Sequence, residues 1–327
     1  MIRDQLGNVL NSIGGFEERP TLAIATSGGA DSMALLLLMH QWAKENQGNV
    51  IALTVDHNLR KESADEAKQV AGWCTARGIE HHILTWQSDG VNSSVQERAR
   101  GARYRMMTDW CKAHKVGHLL TAHHRGDQAE TLFFRLARGS TILGLSCIAP
   151  VSELHGVRLL RPLLSFSKKS LESYLSDEGQ EWIEDASNQS MKYTRNVIRQ
   201  HLQAQPNAEE LEARAAALAE KFAGFRAVIE RQLAEATDKT VKTCTDGSVR
   251  LHVDTFIDQP PEIGKLMLSR LTQSLAGSDY PPRSEKIDNL YKLLKNKHTG
   301  RASLANLLFT LNSRDGYFVI ARKHYAS

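Results

Sequence analysis

Apolar positions along the chain follow two alternating periods. Leu6, Val9, Leu10 and Ile13 recur at a helical interval and predict a helix ahead of Pro20. Leu22 to Ala25 reads as a short buried strand, and Asp31 to Glu45 as a helix apolar nearly all round, as expected of one packed against a sheet. The alternation continues with β-type runs at Val50–Val55, Glu80–Thr85 and Val116–Ala122, between helical segments at Ser63–Arg77, Val95–Ala113 and Gly126–Arg138. Strands interleaved with helices predict a parallel sheet covered on both faces. A last strand-like stretch is Glu181–Ile183.

Asn207–Ala236 is rich in Ala, Glu, Leu and Arg without Pro, and predicts a long helix that acts as a linker. Beyond it the pattern changes to β-runs at Val249–Val253, Leu307–Leu311 and Tyr317–Ala321 around helices at Glu262–Leu275 and Ser284–Lys295, with Asp315-Gly316 as a hairpin signal. The expected organisation is an open α/β domain at 1–206, a helical linker at 207–236 and a small α+β domain at 237–327. A length of 327 residues, above the ~250–300 at which single cores stop growing, agrees with more than one domain.

Composition narrows the class. Forty-one per cent hydrophobic and 24% charged residues exclude a disordered, collagen-like or disulfide-scaffold chain. The longest apolar run, Met33–Met39, is far short of the ~20 residues of a membrane span, and the N-terminus has no basic-then-apolar signal. A cytoplasmic protein with no membrane partner is expected. Cys74, Cys111, Cys147 and Cys244 form no CxxC pair, which disfavours a zinc knuckle, an iron–sulfur ligand set or a thioredoxin-type pair. The net charge of +4 is unevenly spread: Thr240–Ser327 holds 13 Lys and Arg against 8 Asp and Glu, and the preceding residues 28 against 29. Lys292, Lys295, Lys297 and Arg301 follow one another with no acid between them, a patch suited to a polyanion such as RNA, although an isolated basic cluster is more often a solvated helix end.

The loop after the first strand carries the candidate chemistry. Ser27-Gly28-Gly29-Ala30-Asp31-Ser32 joins that strand to the long apolar helix. Its glycines let the backbone approach a ligand, its amides and helix dipole favour an anion, and Ser27 and Ser32 add hydroxyls. Asp31 would repel phosphate unless a divalent cation lay between, and Mg²⁺ takes carboxylate and phosphate oxygens together. The loop therefore reads as a pyrophosphate and Mg²⁺ site; the plainer alternative is a turn with Asp31-Ser32 as a helix cap. Neither GxxxxGK(S/T) nor GxGxxG follows a strand here, which disfavours a Walker-type ATPase and a classical dinucleotide enzyme.

SGGADS after the first strand resembles the loop of the N-type ATP pyrophosphatases, or PP-loop family. Further segments resemble its lysidine-forming branch: Val55–Ala67, Ala99–Tyr104, Ala122–Leu145, Arg161–Leu164 and Trp182–Arg199, in that family's order and together covering roughly 20–200. The resemblance implies a PP-loop pyrophosphatase domain and an ATP- and Mg²⁺-dependent ligase that adenylates the wobble cytidine of an isoleucine tRNA with a CAU anticodon and joins L-lysine to it. It implies that Asp127 and Glu130, three apart and so on one helical face, grip the lysine. It places His123 at the reaction centre, gives Arg103 the adenylation step, and gives Asn188 and Arg195 a role in substrate placement. Arg100 shares a helical face with Arg103, Arg98 and Arg105 are equally part of a basic surface helix, and Asp185 and Asn188 are otherwise turn residues. Asp56-His57 at the end of the second strand offers either a nucleotide contact or a local hydrogen bond. Many relatives carry two consecutive acids where Gly126-Asp127 stands. On this reading the basic C-terminal domain contacts the tRNA, and a homodimer is an open expectation. The alternatives are a tRNA thiolation enzyme, which the unpaired cysteines disfavour, a non-catalytic RNA-binding protein on the same scaffold, and a small-molecule amide-forming relative.

Overall fold

The computed structural model describes residues 2–56, 63–85, 95–184, 194–278, 280–296, 300–312 and 316–323, without the side chains of 95–100, 194–196 and 311–312. The chain divides into two units, Met1–Ala223 and Gly224–Ser327, the division falling inside one long helix.

In the first unit a six-stranded sheet runs in the order β3 (Glu80–Thr85), β2 (Asn49–Asp56), β1 (Thr21–Ala25), β4 (His118–Leu120), β6 (Val157–Leu160), β5 (Val151–Leu154). All neighbours are parallel except β5 and β6, which form a hairpin. The strands alternate as a two-faced sheet requires. Leu22 and Ile24 of β1 join one core with helix α2 (Ala30–Glu45), while Ala23 joins Ile51, Leu53 and Met107 on the other face. The run Met33–Met39 is buried throughout, as its all-round apolar pattern predicts. That burial accounts for a helix whose sequence has almost no polar face: α2 packs against β1, β2, α1 (Ile2–Ile13) and α7 (Lys168–Asp177).

Successive strands are laid to one side of β1, from β1 to β2 to β3, and then to the other with β4. Between β1 and β4 the direction of winding reverses, which opens a crevice at the carboxyl ends of these strands, the place where open α/β sheets take ligands. Helices α3 (Ser63–Ala76), α4 (Val95–Ala113) and α5 (Arg125–Ala137) follow β2, β3 and β4. The short α6 (Ile142–Leu145) is clamped to α5: Gln128 exchanges two 2.9 Å hydrogen bonds with the backbone of Ile148, and Arg135 donates to the carbonyls of Gly144 and Cys147.

Sequence and structure differ at several places. The predicted strand Val116–Ala122 pairs only over His118–Leu120. Glu181–Ile183 is not a strand; it makes one backbone bond, from the Ile183 amide to the Gly28 carbonyl at 2.9 Å. The β5–β6 hairpin lacked a recognised turn signal because His155-Gly156 replaces Asn-Gly, yet both residues have positive φ (51° and 80°), as a type I′ turn needs. Two helices have no counterpart in the sequence pattern: α7, ahead of the predicted strand, and α8 (Thr194–Gln203), between it and the long helix.

The long helix, α9, spans Ala208–Thr240. The second unit is an antiparallel sheet, β7 (Val241–Thr243), β8 (Val249–His252), β11 (Tyr317–Arg322), β10 (Leu307–Asn312), β9 (Gly300–Leu304) in spatial order. With α10 (Val253–Ile257), α11 (Pro261–Ala276) and α12 (Ser284–Lys295) it encloses its own core of Leu251, Phe256, Leu268, Leu294, Phe309 and Phe318. The β10–β11 hairpin forms as predicted, with Gly316 at φ +71° and Asp315 outside the described residues. No described helix is long and apolar enough to cross a membrane.

Candidate active site

The loop between β1 and α2 forms one wall of a cleft of about 450 Å³ at the carboxyl edge of the sheet. Gly28 holds φ +87°, which a residue with a Cβ adopts only with strain. Gly29 is the N-cap of α2 in extended conformation and no side chain caps the helix, so Asp31-Ser32 is not the cap that the plainer reading offered. The first-turn amides of α2, from Ala30 onward, have no intrahelical acceptor and favour an anion there. Ser32 braces the loop internally: its hydroxyl donates to the Gly29 carbonyl at 2.9 Å and accepts the Ser27 amide at 3.1 Å. Its one proton is thereby used, so in the 3.2 Å contact between the two serines the Ser27 hydroxyl donates to Ser32 Oγ.

Asp31 lines the same cleft, and its Oδ1 is buried without a hydrogen-bond partner in the described structure. Burial pushes the Asp31 carboxyl up from its usual range, while His124 and Lys168 pull it down. An orphaned carboxylate oxygen beside an anion-binding loop fits a divalent cation. Among the described residues no group of three or more His, Cys, Asp or Glu could cage a metal, so such a cation would complete its shell with phosphate oxygens and water, as Mg²⁺ does.

The facing wall follows β4. Thr121, Ala122 and His123 line the cleft, and the Thr121 hydroxyl lies 3.0 Å from His123 Nδ1. Next to them His124 caps α5. Its Nδ1 accepts the Gly126 amide at 3.0 Å, and Asp127 Oδ2 accepts the His124 amide at 2.9 Å, a reciprocal capping box. With Nδ1 accepting, the ring proton of a neutral His124 is on Nε2, which lies 3.7 Å from Asp31 Oδ2 and 3.9 Å from Asp127 Oδ2. One imidazole thus separates the loop carboxylate from the acidic pair. The same cap explains Gly126: a Cβ there would stand 2.7 Å from His124 Cε1. Gly126→Ala is expected to displace the ring and lose roughly 1 kcal/mol of capping, a fall in Tm of about 2–4 °C. An unchanged melting curve would contradict it.

Asp127 and Glu130 share the inner face of α5, as their spacing predicts. Glu130 is 7% exposed and is engaged by Arg199 of α8 through two hydrogen bonds, Arg199 Nε to Oε1 and Nη2 to Oε2, the latter at 3.1 Å. Arg199 Nη2 is also 3.7 Å from Asp127 Oδ1. Burial raises the Glu130 carboxyl against the opposing pull of Arg199; burial likewise lowers the guanidinium, but Glu130, Asp127 and Asp31 more than offset it. Arg103 and Tyr104 of α4 close the cleft on a third side, the Arg103 guanidinium lying 5.6 Å from the Tyr104 ring centre.

A family model for the PP-loop domain matches residues 2–205. The tRNA(Ile)-lysidine synthase of Wolbachia pipientis wMel is 36% identical over 292 residues, covering 89% of this chain and 67% of that relative. The tRNA(Ile)-lysidine synthases of Hyphomonas neptunium and Ruegeria pomeroyi are 35% and 33% identical, covering 84% and 86% of this chain and 74% and 67% of theirs. The chain belongs to the tRNA(Ile)-lysidine synthase family. It spans about two thirds of the length of these curated relatives. Among solved structures, a U34-tRNA thiolase from Methanococcus maripaludis shares the fold, with a TM-score of 0.55 at 16% identity, over 67% of this chain and 78% of that one.

Membership of the lysidine synthase family gives the remaining site residues their context. Asn188 lies outside the described residues, and Arg195 falls in α8 with its side chain undescribed, as do those of Arg98 and Arg100 in α4. Asp56 accepts the Ser63 hydroxyl at 2.7 Å, a local bond of the kind offered as one of its two readings; His57 lies outside the described residues. Lys292, Lys295 and Arg301 are exposed in the second unit, and Lys297 lies outside the described residues. Cys74, Cys111 and Cys147 are buried, and burial raises their thiols, to about 11 for Cys74 and about 12 for Cys111, which suits packing rather than sulfur transfer. His124 and Ile183 escaped the sequence reading of the site, whereas Arg199 lay within the segment Trp182–Arg199 without its partner being foreseen. The Ser/His-x-x-acid capping spacing could have drawn attention to His124; nothing local marks the contact of Arg199 with α5, which it reaches from 69 residues away.

Proposed function

We propose that this lysidine synthase family member adenylates the 2-carbonyl oxygen of the wobble cytidine in a CAU-anticodon isoleucine tRNA, and that L-lysine then displaces AMP. ATP is cleaved to AMP and pyrophosphate. A carbonyl oxygen is a poor leaving group and AMP a good one, so activation precedes substitution. The observation that carries this reading is the adjacency of two unlike sites. A phosphate-type loop with an orphaned carboxylate lies one imidazole from an acidic pair suited to an amine.

The roles follow from position. The Ser27–Ser32 loop holds the β- and γ-phosphates, and Asp31 would hold Mg²⁺, which when bound neutralises phosphate charge. Arg103 stabilises charge developing on the transferring phosphoryl group from the third side of the cleft. His123 contacts the reacting base, with Asn188 and Arg195 placing it. Asp127 and Glu130 take the lysine, and the basic surface at Lys292, Lys295, Lys297 and Arg301 contacts tRNA. We take 1–206 as the catalytic domain, 207–236 as the linker and 237–327 as the tRNA-binding domain.

The deciding assay combines ATP, Mg²⁺, labelled lysine and transcripts of isoleucine and methionine tRNAs that share the CAU anticodon. Label is expected in the isoleucine tRNA alone, with one AMP formed per lysine joined. Incorporation into both, or AMP formation without RNA, would refute the assignment. Within that assay Glu130→Ala is expected to slow lysine transfer on the order of 10²-fold more than adenylation. Equal loss of both steps would remove Glu130 from the lysine site.

A further inference from the structure

We propose that Arg199 selects the amino-acid head group of the substrate by cation exchange on the acidic pair, an inference that rests on the lysine reading above. In the present structure the pair is already satisfied. Arg199 covers both oxygens of Glu130 in a forked contact and lies 3.7 Å from the outward oxygen of Asp127, whose other oxygen is held by the His124 amide. The Glu130 side chain is only 9% exposed, so water cannot replace the guanidinium if it leaves. An amine that binds Glu130 therefore has to take the place of the Arg199 fork.

Exchange leaves two charges to satisfy. The arriving ammonium satisfies Glu130 and Asp127. The displaced guanidinium, whose side chain is 28% exposed, loses its two bonds to Glu130 and takes an anion best in their place. A plain amine brings none, whereas an amino acid brings its carboxylate on the same carbon as its ammonium, at the spacing that a guanidinium swung off the acids can meet. The planar fork of arginine suits a carboxylate as it suits Glu130. Held by its head group, lysine presents its side-chain amine as the group left free to lose a proton and attack. Arg199 is thus a specificity-determining residue that trades one carboxylate for another.

The test compares lysine with lysinamide, which keeps both amines and lacks the carboxylate, in the complete reaction with ATP, Mg²⁺ and isoleucine tRNA. In the wild type the KM of lysinamide is expected to exceed that of lysine at least 100-fold. In Arg199→Gln the ratio is expected to fall below tenfold, and in Arg199→Lys, which keeps the charge without the fork, to lie between. A purely structural tie between α5 and α8 would weaken both substrates together, so a ratio unchanged from wild type in either variant overturns the proposal. Should Arg199→Gln not fold, the Arg199→Lys ratio decides alone. A wild type that joins neither compound overturns the lysine reading and this inference with it, whereas an active wild type with variant ratios unaltered overturns only the role of Arg199.

Discussion

Asp31→Asn is expected to abolish AMP formation while making the protein without nucleotide more stable. The two effects have one cause. Asp31 keeps a carboxylate in a place where burial disfavours its charge and where Oδ1 has no partner in the described structure. Folding tolerates this cost, of order 1–3 kcal/mol for an unsatisfied buried polar group. Asparagine keeps the shape and removes the charge. A gain of about 1 kcal/mol corresponds to a rise in Tm of about 2–4 °C for a domain of this size. It should appear in a thermal melt with EDTA and no ATP. The same neutralisation removes the anchor for a cation between protein and phosphates, and adenylation should fall on the order of 10³-fold. A variant both inactive and less stable would mean that Asp31 is a structural residue. One that keeps activity would place the cation elsewhere.

This opposition between stability and activity also explains which parts of the molecule could be read from the sequence. The α/β order was legible because hydrophobic period is a local property: Met33–Met39 can be satisfied only by burial on all sides, and it is so buried. The loop at Ser27–Ser32 stood out because two glycines and an acid meet at a strand–helix junction, but those residues alone left an ordinary capped turn open, and it was the resemblance of SGGADS to the PP-loop family that favoured a phosphate site. Asp127 and Glu130 were legible as a pair from their spacing alone. What the pair is bonded to was not, because Arg199 comes from a helix formed far along the chain and no local pattern fixes that contact. Glu181–Ile183 failed for the opposite reason. Its apolar residues resemble a strand, but Ile183 is needed against Gly28, and one backbone bond to that loop replaces a sheet ladder. The turn at His155-Gly156 shows a third limit: positive φ at two residues is a backbone demand that His can meet without advertising it.

Gly28→Ala is expected to raise the KM for ATP on the order of 10²-fold, through the backbone rather than through any lost contact. Two costs add. Alanine at φ +87° bears roughly 1–2 kcal/mol of conformational strain. Its Cβ would lie 2.7 Å from Ile183 Cδ1 and 2.9 Å from Val70 Cγ2, distances that require movement. The Ile183 methyl can rotate away, but Val70 is wholly buried in the main core, where overpacking costs about 1–3 kcal/mol. The cheapest relief is for the peptide at Gly28 to turn, which breaks its bond from the Ile183 amide and redirects the amides that face the cleft. A loss of about 3 kcal/mol in aligning those donors corresponds to the stated change in KM, at tenfold per 1.4 kcal/mol. Gly29→Ala is the natural comparison. At φ −72° its Cβ would meet nothing closer than 3.8 Å, so it should be the milder change by at least tenfold. Initial-rate measurements of pyrophosphate release over a range of ATP concentrations would separate the two. Equal KM values would show that the loop binds phosphate through its side chains, and the backbone cradle on which the site is built would have to be given up.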